Sequence, residues 1–137
     1  MSDIRRRNSF RGNNADQVSE RSYRLSESVR TCNGNLQAKQ RLSCGGKVLT
    51  IDQIRRSSRS VCTNLREAWA KRRYEAHFVS KLTDADGENG ETETWLDFAH
   101  DCDYLSKRDH ALFTEKCHEV GAMLGSMINN PSSFILR

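Results

Sequence analysis

Residues 54–75 read IRRSSRSVCTNLREAWAKRRYE, and the spacing of apolar and basic side chains there decides the fold. Ile51, Ile54, Val61, Leu65 and Ala68 recur at three- and four-residue steps, with small Ser58 filling the missing beat. That is the period of a helix burying one stripe. Each residue turns a helix by about 100°, which brings Arg55, Arg59, Arg66 and Arg73 within about 40° of one another. The same geometry puts them about 90° to 130° from the centre of the apolar stripe. The segment predicts a helix with one buried face and a ridge of guanidinium groups on another. Such a ridge binds something anionic or meets an acidic helix.

The chain around this stretch has 137 residues, a size that suits one domain. A hydrophobic fraction of 36%, a charged fraction of 29%, 7% aromatics and a single proline favour helices over a β-sandwich. The net charge of +4 hides a division. Residues 1–73 carry 17 Lys and Arg against 6 Asp and Glu, whereas residues 74–137 carry 5 against 12. A basic half suits nucleic acid or an acidic partner. Charge-complementary packing of basic and acidic helices needs the same split.

Cys32, Cys44, Cys62, Cys102 and Cys117 make an odd count with no Cys-x-x-Cys pair, and the opening MSDIRRRNSF has no apolar run of a signal peptide. Reduced thiols in a cytoplasmic protein are the expectation. Cys102 and Cys117 fall on or near apolar stripes and are expected to be buried. No apolar run approaches the ~20 residues that span a bilayer, so no membrane partner is expected.

Outward from the central stretch, residues 1–15 are rich in Arg, Asn, Ser and Gly and predict a disordered basic tail. Val18, Ser22, Leu25, Val29, Cys32 and Leu36 keep a helical beat with few large side chains, so a first helix over about 16–32 is weak or broken at Asn33-Gly34-Asn35. Gly45 and Gly46 read as further turn signals. The second helix is expected to start near Thr50, capped by Thr50 or Asp52, and to end near Lys71, because Arg72 falls back on the apolar side. Tyr74, Phe78, Leu82, Ala85, Asn89, Thr92, Leu96 and Ala99 predict a third helix over about 74–102. Asp84, Asp86, Glu88, Glu91, Glu93, Asp97 and Asp101 make its polar face acidic. Gly87 and Gly90 within it each cost about 1 kcal/mol relative to alanine, which suggests a close helix neighbour. Ser106-x-x-Asp109 announces a fourth helix with Phe113, Cys117, Val120, Leu124 and Met127 inward, stopped by Asn129-Asn130-Pro131. Gly121-x-x-x-Gly125 suggests a tight crossing. Phe134, Ile135 and Leu136 in the 131–137 tail dock on the bundle or a neighbour, or fray. The domain is thus expected over 16–130 as an all-α, antiparallel up-down four-helix bundle.

The run from Leu49 to Val61, then Asn64-Leu65-x-Glu67-Ala68, resembles the hallmark of the small four helix bundle protein family. Lys71-Arg72-Arg73-Tyr74-Glu75, Thr92-x-x-Trp95-Leu96-x-x-Ala99, and Glu119-Val120-Gly121-x-Met123-Leu124-x-x-Met127-Ile128 are similar in turn. That family is also described as the rRNA intervening-sequence protein family, because members are encoded within insertions in large-subunit rRNA genes. The resemblance covers about residues 49–130. It implies a bundle that often assembles as a homopentamer and has no established catalytic residues or cofactor. A related protein, the accessory variability determinant of diversity-generating retroelements, is a basic pentamer that binds nucleic acid and a reverse transcriptase.

Arg55, Arg56, Arg59, Arg66, Arg72 and Arg73 are the candidate nucleic-acid-binding residues, since the planar guanidinium fork suits phosphate. The alternative is a solvated face, or pairing with the acidic third helix in a purely structural oligomer. Ser57, Ser58 and Ser60 lie among the arginines as phosphorylation candidates or as small residues that let helices approach. Ser58, Asn64, Glu67, Trp69 and Trp95 are candidates for a helix or subunit interface, with core packing the alternative for both tryptophans. Asp97-x-x-His100 and Glu115-x-x-His118 resemble the carboxylate pairs of di-iron bundles. Asp97 and Glu115 lie about 140° and 165° from their apolar stripes, so they cannot aim inward together. His77 and His110 read as isolated surface residues. No nucleophile elbow, P-loop or zinc spacing occurs, and the expectation is a non-enzyme without metal or cofactor.

Overall fold

The computed structural model describes residues 16–18, 20–21, 23–24 and 45–136. Among them every regular element is helical. Described residues of the 16–24 segment form a short first helix, α1. It is followed by α2 (Gly45–Ala70), α3 (Glu75–Asp101), α4 (Lys107–Asn129) and a 3-10 turn at Pro131–Ser133. The expected basic tail over 1–15 and the Asn33-Gly34-Asn35 break lie outside the described residues. Ser57 meets Thr92 while Asn64 meets Lys81, and Asp97 meets His110 while Glu93 meets His118. Numbers fall on one helix as they rise on the next, so α3 runs antiparallel to both α2 and α4. Arg21 and Glu119, 2.7 Å apart, lay α1 against α4. The protein is an all-α helical bundle.

Helix ends depart from the sequence reading in one place. α2 begins at Gly45 rather than near Thr50, and Thr50 donates back to the Gly46 carbonyl at 2.8 Å from inside the helix. Gly46 provides room instead of a turn: a Cβ there would lie 2.9 Å from the Tyr104 hydroxyl in the α3–α4 connection. Asp52 pairs with Arg55 at 3.2 Å rather than capping. Ser106 caps α4, accepting from the Asp109 amide at 3.1 Å, and α4 stops at Asn130-Pro131. After α3, Asp103 takes φ 60 in the left-handed region while Tyr104 and Leu105 donate to the Ala99 carbonyl.

The core is built as two apolar blocks. Val61, Leu65, Ala68, Phe78, Leu82, Ala85, Val120, Leu124 and Met127 fill one, joined by Val18 of α1 and by Phe134. Phe134 is 8% exposed, with its ring 6.2 Å from that of Phe78, so the C-terminal segment docks on its own bundle. Ile51, Ile54, Leu96, Ala99, Phe113 and Cys117 fill the other. Between them in sequence lie four buried polar side chains, Ser57, Ser58, Asn89 and Thr92. The Ser57 and Thr92 hydroxyls lie 2.8 Å apart, with the Gln53 and Glu88 carbonyls each 2.9 Å from one of them. Each hydroxyl has a single proton, so the chain runs in one direction at a time. Asn89 Nδ2 donates to the Cys117 carbonyl at 2.9 Å, linking α3 to α4.

Gly121 makes that link possible, because a Cβ there would lie 3.3 Å from Asn89 Nδ2. Among the described residues the close crossings expected at Gly87, Gly90 and Gly125 are not made: a Cβ at any of them meets nothing within 4 Å. Of these four glycines of α3 and α4, Gly121, which faces a buried polar residue, is the one that is pressed. Cys102 is also exposed rather than buried, since it stands at the C-cap where the helix, and with it the stripe, has ended. Cys117 is fully buried, and burial, reinforced by Glu93 and Asp97, pushes its thiol up to about 12.

Two outcomes follow from this packing. Alanine at Gly87, Gly90 or Gly125 should raise stability by about 1 kcal/mol, whereas alanine at Gly121 should forfeit the gain by crowding Asn89; urea midpoints of the four variants check this. Between pH 9 and about 12 the unfolded chain releases the Cys117 proton while the folded one keeps it. Stability should therefore fall with rising pH, by up to about 1.4 kcal/mol per unit, and Cys117→Ala should flatten that slope in unfolding curves over the same window.

Candidate nucleic-acid interface

The two flanks of α2 have different neighbours. Viewed down the helix, Ser57 and Asn64 lie about 70° to 90° to one side of the core stripe. Those two touch α3, through Thr92 and Lys81. Arg55, Arg59 and Arg66 lie about 90° to 130° to the other side. The arginine flank therefore faces away from the acidic helix. Arg56, Arg59, Arg66 and Arg73 are exposed, and none pairs with a carboxylate among the described residues. Arg55 is half-buried and tied to Asp52 of its own helix. At a rise of 1.5 Å per residue, Arg55 and Arg59 stand about 6 Å apart along the axis and Arg66 about 10 Å further on.

Arg72 and Arg73 do not continue this line. α2 ends at Ala70, so both sit in the turn of residues 71–74 and the wheel that placed Arg73 on the ridge no longer applies. Arg72 lies over the Trp69 ring at 4.3 Å and donates to the Trp69 carbonyl at 3.4 Å. A cation over an indole face is attracted by the ring quadrupole. Arg73 is exposed beside Tyr74, which at 69% is the most exposed large apolar side chain described. Sequence periodicity missed Lys71 and Tyr74 as part of this basic surface, because it read Tyr74 as the first inward position of α3. The adjacent KRRY letters were the available signal.

Charge pairing between α2 and α3 occurs with the signs exchanged. The cation is Lys81, from the acidic helix, and the anion is Glu67, from the basic one, 3.0 Å apart. Asp84 lies 3.2 Å and the Asn64 amide oxygen 3.4 Å from the same ammonium. Hydrogen bonds to Glu67, then Asp84, hold the Lys81 ammonium above its ordinary value. The alternative, pairing of the second-helix arginines with α3, is not made among the described residues of one chain, because α3 packs on the other flank.

The remaining candidates divide between core and surface. Ser57 and Ser58 are buried with their hydroxyls bonded to backbone carbonyls, which closes them to a kinase, while Ser60 is half-exposed. Trp69 and Trp95 are half-buried, each packed on the edge of one apolar block. Trp95 donates to Glu91 at 3.1 Å. His110 is not isolated: its Nε2 lies 2.7 Å from Asp97, and its ring lies 4.7 Å from that of His100, tilted at 40°. His118 meets Glu93 at 2.7 Å. These pairs hold α3 to α4, and among the described residues no group of three or more His, Cys, Asp or Glu is placed to hold a metal ion. No described helix is long and apolar enough to cross a membrane.

This architecture has known counterparts. A crystal structure of a protein of unknown function from the S23 ribosomal protein family of Bacteroides thetaiotaomicron VPI-5482 superposes with a TM-score of 0.71. It is 25% identical, and the match covers 85% of this chain and 99% of that one. No curated protein matches the chain. The family model described as 23S rRNA-intervening sequence protein matches residues 14–126, a span that takes in the arginine flank, the buried polar side chains and both histidine–carboxylate pairs. The chain belongs to the 23S rRNA-intervening sequence protein family.

Proposed function

We propose that the protein is a small, non-enzymatic, self-associating scaffold of the cytoplasm that holds nucleic acid by its phosphate backbone along the α2 arginine flank. One observation carries this reading: Arg56, Arg59 and Arg66 are exposed and unclaimed by the carboxylates of α3, which packs on the opposite flank. A guanidinium left in water on a helix flank is free to take phosphate oxygens in bidentate bonds. The flank presents no aromatic side chain of its own, so contacts along it go to the backbone and carry no base preference.

A second reading has its own support. The groove between α2 and α3, lined by Asn64, Thr83, Asp84, Gly87, Glu88 and Glu91, is acidic and open. The arginine flank of another copy complements it in charge, which makes the arginines subunit contacts instead.

The two readings separate in one experiment. Binding of RNA and DNA duplexes is measured against salt for the parent and for Arg55/Arg59/Arg66→Glu. On the first reading the parent binds, and the variant both binds more weakly and loses about two to three units of the salt slope, since each lost phosphate contact removes about 0.9. Equal, negligible binding by both, with a smaller solution mass for the variant, would favour the second.

A further inference from the structure

The turn between α2 and α3 has a chemistry that the α2 flank lacks. Three consecutive cations, Lys71, Arg72 and Arg73, run directly into Tyr74. Tyr74 is extended, with φ −122 and ψ 106, and its amide is bonded to the Lys71 carbonyl at 3.0 Å. Its side chain caps nothing in α3. Tyr74 is 69% exposed, and its ring meets that of His77 in a T-shaped contact, with centroids 5.9 Å apart and planes at 62°. A T-shaped contact occupies at most one face of a ring and leaves the other open.

The neighbouring cations are not all free. Arg72 is committed to Trp69 and to the cap of α2. Lys71 and Arg73 are exposed, and neither pairs with a carboxylate among the described residues. Of the nearby acids, Glu67 is engaged by Lys81, which leaves Glu75, in the first turn of α3. Structural reasons account for Arg72, because a cation beside the last carbonyls of a helix satisfies them. They do not account for a large aromatic ring held in water directly after a run of cations. An aromatic face flanked by unpaired cations fits an unstacked nucleotide: the ring takes the base, and the cations take the phosphates on either side.

We infer that the α2–α3 turn stacks an unpaired base of a nucleic-acid strand on Tyr74, with Lys71 and Arg73 holding the flanking phosphates. The inference rests on the nucleic-acid reading of α2 and adds to it a preference for single strands, loops or frayed ends over continuous duplex. In a duplex the bases are stacked on one another and offer the ring no face.

The test uses the full chain, a labelled oligothymidylate and a blunt-ended duplex of the same length. Tyr74→Ala is compared with Tyr74→Phe, and helix content and solution mass are followed alongside. Tyr74→Ala should weaken oligothymidylate binding by about 5- to 150-fold and leave duplex binding unchanged, while Tyr74→Phe keeps the ring and the affinity. If Tyr74→Ala binds the single strand like the parent while Arg55/Arg59/Arg66→Glu loses binding, the stacking site is overturned and the arginine reading stands. A parent that binds neither probe overturns both. A change in solution mass with binding unaltered would assign the ring to contact between copies, and would also overturn the proposal.

Discussion

The bundle depends on the polar side chains buried at the middle of its central helix. Ser57 and Thr92 share a hydroxyl contact, and Asn89 reaches the Cys117 carbonyl. Apolar side chains tolerate sliding by a turn, because one methyl surface resembles the next. A buried amide or hydroxyl does not, since a lost partner costs about 1 to 3 kcal/mol. These bonds therefore fix the axial register of α2 and α4 against α3. They also fix rotation: with Ser57 held against α3, the arginines of α2 are turned to the opposite side. The orientation of the candidate surface follows from a contact buried within the helix pair.

The arrangement also explains how one chain carries a basic and an acidic half without collapsing one on the other. α3 lies between α2 and α4, and its carboxylates are distributed to both seams. Glu93 and Asp97 are taken by His118 and His110. Asp84 joins Glu67 around Lys81. Glu88 and Glu91 line the outer α2–α3 groove together with Asp84. Exposed ion pairs such as these add little stability each. Their effect is that α3 gives the arginine flank no counter-charge, and Arg55 pairs instead with Asp52 of its own helix.

Much of the fold was legible because helical burial has a period. Phe78, Leu82, Ala85, Asn89, Thr92, Leu96 and Ala99 are all buried, as their spacing required, including the two polar members that composition alone would have placed outside. What periodicity does not encode is the partner of a small residue. Gly46, Gly87, Gly90, Gly121 and Gly125 look alike as letters. Only Gly46 and Gly121 are crowded, each by a side chain far away in sequence, Tyr104 and Asn89. Helix ends were misjudged for the same reason, since Gly45-Gly46 reads as a turn unless the approach of Tyr104 is known. The wheel likewise carried Arg73 past the end of α2, and so hid its grouping with Tyr74. The histidine pairs span 13 and 25 residues and have no local signature at all.

The last residues of the chain have a bearing on how the molecule can be handled. Phe134 seats against Phe78, and the Leu136 amide donates to the Arg72 carbonyl at 3.1 Å. Residues 134–136 are thereby stitched to the same corner that exposes Tyr74. Deleting residues 134–136 would uncover Phe78 and unfasten the Arg72 carbonyl, so probes of this corner keep that strap in place.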